Sequence, residues 1–225
     1  MKSTDVRIWA GIWSHPDNGL LMAFRAGRLH PGHDLAVHSH IDLCRTCSKI
    51  VYGPGVAAEP IMAADDNSVP ADPTLASILA GALQRIDDHE ALMSGRSRAW
   101  LQGLDLPDAL SPADVRTRRW LAPGVWIAPL DLDGASRPSR TYLLAARRNT
   151  KVPDHTHTGR EITVILSGYV EDQGHVYGPG DLILTSDCHT HGPAALDDCV
   201  CLIAAEAPLV MTSLMGRLVQ AIAGI

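Results

Sequence analysis

The stretch VPDHTHTGREITVILSGYVEDQGHVYGPGDL, residues 152–182, sets two imidazoles two residues apart, a carboxylate four residues further on, and then an apolar run that a glycine closes. Along a β-strand, side chains two apart share a face, so His155 and His157 project into one interior. Glu161 follows across the short Thr158 to Arg160 stretch and opens the run Ile162 to Leu166, which ends at Gly168. Pro179, Gly180 and Asp181 mark a turn, and His191 comes ten residues after Asp181, near the end of the next hairpin. Two strand pairs facing each other inside a small barrel would bring His155, His157, Glu161 and His191 to one ion.

That donor set holds nitrogen and oxygen and no sulfur. It fits zinc, iron, manganese or nickel, and ligand type alone does not choose among them. His189 competes with His191, because the two share a face. His175, beside a turn, reads as exposed. Histidines lining a barrel without an ion are the alternative, but H-x-H-x3-E followed by P-G-D and a late histidine is a long, specific pattern.

Outward from this stretch, short apolar runs separated by turn signals extend from Trp120 to the C-terminus: Val125 to Leu132, Tyr142 to Ala146, Leu182 to Leu184 and Val200 to Ala205. Regular short strands predict a sandwich or barrel. The apolar tail from Leu209 to Ile225 reads as a final strand, a covering helix or both. Toward the N-terminus the pattern changes across residues 94–114, where Gly95, Ser97, Gly103, Pro107 and Pro112 predict a linker.

Before that linker the periodicity is helical. Leu20, Leu21 and Phe24 form one stripe, Leu35 and Val37 continue it, and Pro31 with Gly32 breaks residues 17–52 into two helices. The proline-rich stretch from Gly53 to Pro73 predicts a loop. A further helix from Thr74 to Leu92 carries Leu75, Ile78, Leu79, Ala82 and Ile86 at spacings of three and four.

Within the helical part, His40, Cys44 and Cys47 form H-x3-C-x2-C. On a continuous helix, residues three and four apart lie one turn above each other, which would aim these three side chains at one point. They fill three positions of a tetrahedral zinc site. His38 points away at about 200° round the helix, and His33 lies roughly 10 Å further along it. His15, in an irregular segment ending at Pro16, can fold back as the fourth ligand, with His30 behind it. A surface histidine with two free thiols is the alternative. A redox C-x-x-C would open a helix after a strand, and no strand precedes Cys44.

The chain has 225 residues, 46% of them hydrophobic and only 4% aromatic, enough for one large core or two small ones. The separated ligand sets favour two. A formal charge of -6 disfavours direct DNA binding, and the one basic knot, Arg116, Arg118 and Arg119, reads as a solvated strand edge. No apolar run reaches the roughly 18 residues of a membrane span and no leader pattern stands at the N-terminus, so the expected location is cytoplasmic, without membrane contact. Five cysteines in loose spacing suit metal and thiol chemistry in a reducing compartment. Cys199 and Cys201 share a strand face, at the outer limit for a disulfide, and Cys188 adjoins His189.

Taken together, the two clusters resemble the ChrR family of zinc-binding anti-sigma factors. LLMAFRAGRL at residues 20–29 and HSHIDLCRTC at residues 38–47 are similar to its zinc anti-sigma domain. The stretch at 152–182, the later DCVC at 198–201 and GRLVQ at 216–220 resemble its cupin domain. The resemblance implies a multidomain α + β chain: a small zinc-containing helical bundle at 1–93, a linker at 94–114 and a jelly-roll-like cupin β-barrel at 115–225. It implies zinc on His15, His40, Cys44 and Cys47, and zinc or another divalent ion on His155, His157, Glu161 and His191. It further implies a 1:1 complex with an extracytoplasmic-function (group IV) sigma factor, released under singlet-oxygen or hydroperoxide stress. No catalytic residue is expected. The competing reading is a metal-dependent cupin enzyme of dioxygenase or lyase type, against which stands the zinc-bearing module fused in front.

Overall fold

The computed structural model describes residues 11–53, 106–110, 114–132, 140–186, 190–207 and 210–211. The expected loop at 53–73 beyond Gly53, the helix at 74–92, Cys188, His189 and the tail beyond Met211 lie outside the described residues. Of the linker expected at 94–114, only 106–110 and Asp114 are described.

Among the described residues three α-helices come first: α1 (Asn18–Arg25), α2 (Pro31–Leu43) and α3 (Arg45–Tyr52). Asp17 caps α1 by accepting from the Leu20 backbone N–H at 2.7 Å. Pro31 stands at the first position of α2, where its missing N–H costs nothing. The single helix expected to carry the sulfur motif is in fact two. Cys44 leaves helical geometry at φ -111°, ψ 101°, ends α2 and caps α3, its Sγ accepting from the Cys47 N–H at 3.5 Å. The periodicity runs through this junction unbroken, so the pattern could not reveal it.

Twelve strands follow among the described residues: β1 (Asp114–Val115), β2 (Arg119–Ala122), β3 (Val125–Asp131), β4 (Thr141–Ala146), β5 (His155–Thr156), β6 (Glu161–Ser167), β7 (Val170–Asp172), β8 (His175–Tyr177), β9 (Leu182–Thr185), β10 (Ala194–Ala195), β11 (Cys199–Ala205) and β12 (Val210–Met211). The main sheet runs β1-β3-β4-β11-β6-β9, with β2 beside β3; β10-β7-β8 and β12-β5 form smaller sheets. Every pairing is antiparallel.

The main sheet is buried on both faces. Leu143, Ile162, Val164, Leu202 and Ala204 belong to one cluster with Leu20, Leu21, Leu35, Val37, Ile41 and Val51 of the helices. The alternate residues Tyr142, Ile165, Cys199, Cys201 and Ile203 face a second cluster inside the barrel. The two separate cores expected from sequence are therefore one core shared by helices and sheet and one barrel interior. Gly32 of α2 lies so close to the sheet that a Cβ there would overlap the Thr141 hydroxyl. A 3-10 turn at Asp108–Leu110 closes the side of α2, with the Ala109 N–H donating to Asp42 at 2.9 Å.

Candidate metal centres

The sulfur set gathers at the α2–α3 junction. The candidate donor atoms of His15, His40, Cys44 and Cys47 all lie within 4.8 Å of one another. His15 Nδ1 stands 3.4 Å from Cys44 Sγ and 3.5 Å from Cys47 Sγ. These separations match the edges of a zinc tetrahedron, about 3.3–3.8 Å for bonds of roughly 2.0 Å to nitrogen and 2.3 Å to sulfur. His40 supplies a second sign. Its Nδ1–H donates to the Gly180 carbonyl at 2.7 Å, which leaves Nε2 facing the cluster, buried and without a hydrogen-bond partner among the described residues. A buried nitrogen with no hydrogen-bond partner beside two thiols is a donor suited to a cation.

The electrostatics agree. Burial pushes the His40 imidazole down to about 4, and burial with the neighbouring Cys44 pushes the Cys47 thiol up to about 12. A cation reverses the penalty on the thiolates and needs the imidazole neutral, so the site gains an ion by releasing thiol protons. The other nearby histidines stand elsewhere. His38 is near Asp42 and Phe24, His30 caps α2, and His33 is buried 3.7 Å from Glu206 of the barrel.

The second set lies inside the barrel. His155, His157, Glu161 and His191 are all buried, with candidate donor atoms within 4.8 Å of one another. An isolated bridge pairs the backbones of His155 and His191, each N–H donating to the other's carbonyl at 3.0 Å. The Nδ1–H of His155 donates to the Pro153 carbonyl at 2.9 Å and that of His191 to Asp172 at 2.7 Å, so both Nε2 atoms turn inward. His157 Nε2 faces His191 Nε2 at 2.9 Å. Two neutral imidazole lone pairs at that distance repel unless a proton or an ion lies between them.

Burial, together with the neighbouring histidines, pushes His157 down to about 4. Burial also lifts Glu161 to about 7. Burial opposes charge on His191 as well, but its bond to Asp172 outweighs this and raises it. His155 and His157, whose burial resists a proton, face a reluctant carboxylate and, with His191, form a preorganised divalent-cation cage. Asp172 is the member that the sequence reading missed. Its place at the end of β7 carries no local signal, because its partner lies 19 residues away.

An apolar cavity of about 240 Å³ opens onto this cluster, lined among others by Leu121, Tyr142, Leu144, Val170 and Ile183. Cys199 and Cys201 also line it. The Cys201 thiol donates to Cys199, which lowers Cys199; that bond and burial raise Cys201. Of the basic knot, Arg116 pairs with Asp131 and Arg118 lies over Trp120. All three arginines are exposed.

Residues 109–209 match the ChrR cupin-like domain family. Over 213 residues the chain is 30% identical to the anti-sigma-E factor ChrR of Cereibacter sphaeroides, covering 93% of this chain and 97% of that protein. The crystal structure of Rhodobacter sphaeroides SigE in complex with the anti-sigma ChrR aligns at 25% identity with a TM-score of 0.61, covering 87% of this chain and all of that one. With both centres assembled from the residues that carry the resemblance, and with likeness over nearly the full length of both chains, this chain belongs to the ChrR family of anti-sigma factors.

Proposed function

We propose that this chain sequesters an extracytoplasmic-function sigma factor in a 1:1 cytoplasmic complex and releases it under oxidative stress through its barrel. The observation that carries the reading is the assembly of both donor sets in a chain similar end to end to an anti-sigma factor. We assign residues 1–93 to the inhibitory part, 94–114 to the connection and 115–225 to the sensing part. Zinc is the ion for the two-sulfur, two-nitrogen site, where it would hold α2, α3 and the His15 segment together. In small zinc modules such an ion contributes on the order of 10 kcal/mol to folding. The barrel cage takes zinc or another divalent ion, which would supply Lewis acidity beside the cavity.

The face that meets the sigma factor is not the one on the sheet. Met22, Ile50 and Tyr52 are apolar side chains left exposed on α1 and α3, at 50%, 39% and 61%, and they suit an apolar partner surface. In the barrel, an apolar chamber ending at two thiols and a buried donor cage favours entry of a small uncharged oxidant over a charged one.

The test is co-expression with extracytoplasmic-function sigma factors encoded nearby. A 1:1 complex is expected on gel filtration, lost in Cys44→Ala plus Cys47→Ala. His155→Ala plus Glu161→Ala should keep the complex and lose its dissociation on treatment with an organic hydroperoxide. Failure of every candidate to bind would sink the anti-sigma reading. Turnover of a small substrate by the barrel, abolished in the same double variant, would favour the dioxygenase or lyase alternative that the cavity also suits.

A further inference from the structure

The sulfur centre is not built by the helices alone. The segment carrying His15 has no helix or strand of its own and is tied to the turn that leads into β9. Asp181, 2% exposed, accepts at Oδ1 from the backbone N–H of Trp13 at 2.7 Å and of Ser14 at 2.8 Å. Its Oδ2 accepts from the Gly178 N–H at 2.8 Å, which fixes the turn itself. The Leu182 N–H donates to the Ser14 carbonyl at 3.0 Å, and the Ser14 hydroxyl donates to the Leu182 carbonyl at 2.6 Å. The residue after this strap is His15.

The same turn reaches His40. The Gly180 carbonyl takes the Nδ1–H of His40 and so selects which ring nitrogen faces the cluster. Gly180 has φ +90°, a left-handed conformation that favours glycine, and a Cβ there would overlap Ile12 Cδ1 and lie 3.6 Å from Leu43 Cβ. Only a residue without a side chain lets the strap and the end of α2 close over the turn. The turn is rigid from the other side too: the Gly180 N–H donates to the Ile165 carbonyl at 2.8 Å, and the Ile165 N–H donates to the Asp181 carbonyl at 3.0 Å.

We propose that Gly180 and Asp181 of the barrel are positioning residues of the sulfur centre: Asp181 holds the strap that carries His15, and the Gly180 carbonyl orients His40. Both nitrogen donors are thereby set by the barrel, whereas both sulfur donors are set by the α2–α3 junction. The inference rests on the metal reading of the His15, His40, Cys44 and Cys47 cluster. Ile165, which anchors the turn, lies on β6, the strand that opens with the cage residue Glu161. Displacement of β6 would pull on two of the four donors of the other centre.

The test uses the full chain loaded with Co²⁺, whose thiolate charge-transfer and ligand-field bands report a two-sulfur, two-nitrogen tetrahedron. Asp181→Ala removes the acceptor of Trp13, Ser14 and Gly178 together. Asp181→Asn keeps an oxygen for Trp13 and Ser14 and loses only the Gly178 contact. Ser14→Pro deletes, from the strap side, the N–H donated to Asp181 and the hydroxyl donated to the Leu182 carbonyl, and leaves the Asp181 contact to Gly178 in place. The expected result is an altered ligand-field spectrum and about 10–100-fold faster transfer of the ion to a chelator in Asp181→Ala, the usual cost of losing an outer support. Ser14→Pro should change in the same direction and Asp181→Asn should stay close to the unaltered chain.

Far-ultraviolet circular dichroism identifies any variant that has lost its fold. A folded Asp181→Ala or Ser14→Pro with the spectrum and transfer rate of the unaltered chain overturns the proposal. An unaltered chain that shows no thiolate charge-transfer band overturns the metal reading itself, and the positioning role with it.

Discussion

Asp172 shows what a single outer carboxylate does for the cage. With its oxygen 2.7 Å from His191 Nδ1 and both side chains buried, it fixes the tautomer and aims Nε2 at His157. Asp172→Asn keeps the shape but can present an amide N–H to Nδ1, which would turn the proton of His191 toward the cluster. Barrel metal affinity, read by competition with a chelator, should fall about 10–100-fold, with the sulfur site unchanged. Equal affinity in the variant would show that the tautomer is fixed by other means. Among the donors themselves, all eight expected residues come together: six stand in the local motifs H-x-H-x3-E and H-x3-C-x2-C, and His15 and His191 arrive from outside them. Asp172, Gly180 and Asp181 were illegible as supports because each acts on a donor far away in sequence.

At the level of elements, the strands were readable and the helices only in part. Apolar runs such as CVCLIAA stand out because both faces of β11 are buried, one by α2 and one by the cavity. The strands β7 and β8 span three residues each, and β8, at the edge of its sheet, is largely exposed, so no apolar run announces them. The docking of α2 has a titratable contact of its own. His33 is 2% exposed; its Nδ1 lies 3.7 Å from Glu206, itself bonded to Arg160, and its Nε2 has no hydrogen-bond partner among the described residues. Burial lowers its pKa below the usual 6.5, although Glu206 opposes this, and Arg160 and His30 assist. A depressed value means that the folded chain resists a proton which the unfolded chain accepts, so this contact loses stability as pH falls through about 6.5. His33→Gln should therefore show a smaller drop in melting temperature between about pH 7.5 and pH 5.5 than the unaltered chain. All other histidines are common to both chains, so an equal drop would remove His33 as the cause.

For the molecule as a whole, the shared core decides how the parts can move. Lifting α1, α2 and α3 off the sheet would expose Leu143, Ile162, Val164 and Leu202, each at most 1% exposed now. Burying side chains of this kind contributes about 1.5–3 kcal/mol apiece, so the helices and the sheet are bound into one cooperative unit. Composition could not show this, since 46% hydrophobic content serves one continuous core as well as two. A partner that leaves α2 in place must use the outward sides of α1 and α3, where Met22, Ile50 and Tyr52 stand. Calorimetry of the metal-loaded full chain should give one endotherm whose calorimetric and van't Hoff enthalpies agree. Cys44→Ala plus Cys47→Ala should lower that single transition rather than delete a separate one. Two resolved endotherms, with only the lower one lost in the double variant, would mean that the helical part unfolds independently. The contacts on the sheet would then be too weak to carry a signal from the barrel to the sulfur centre.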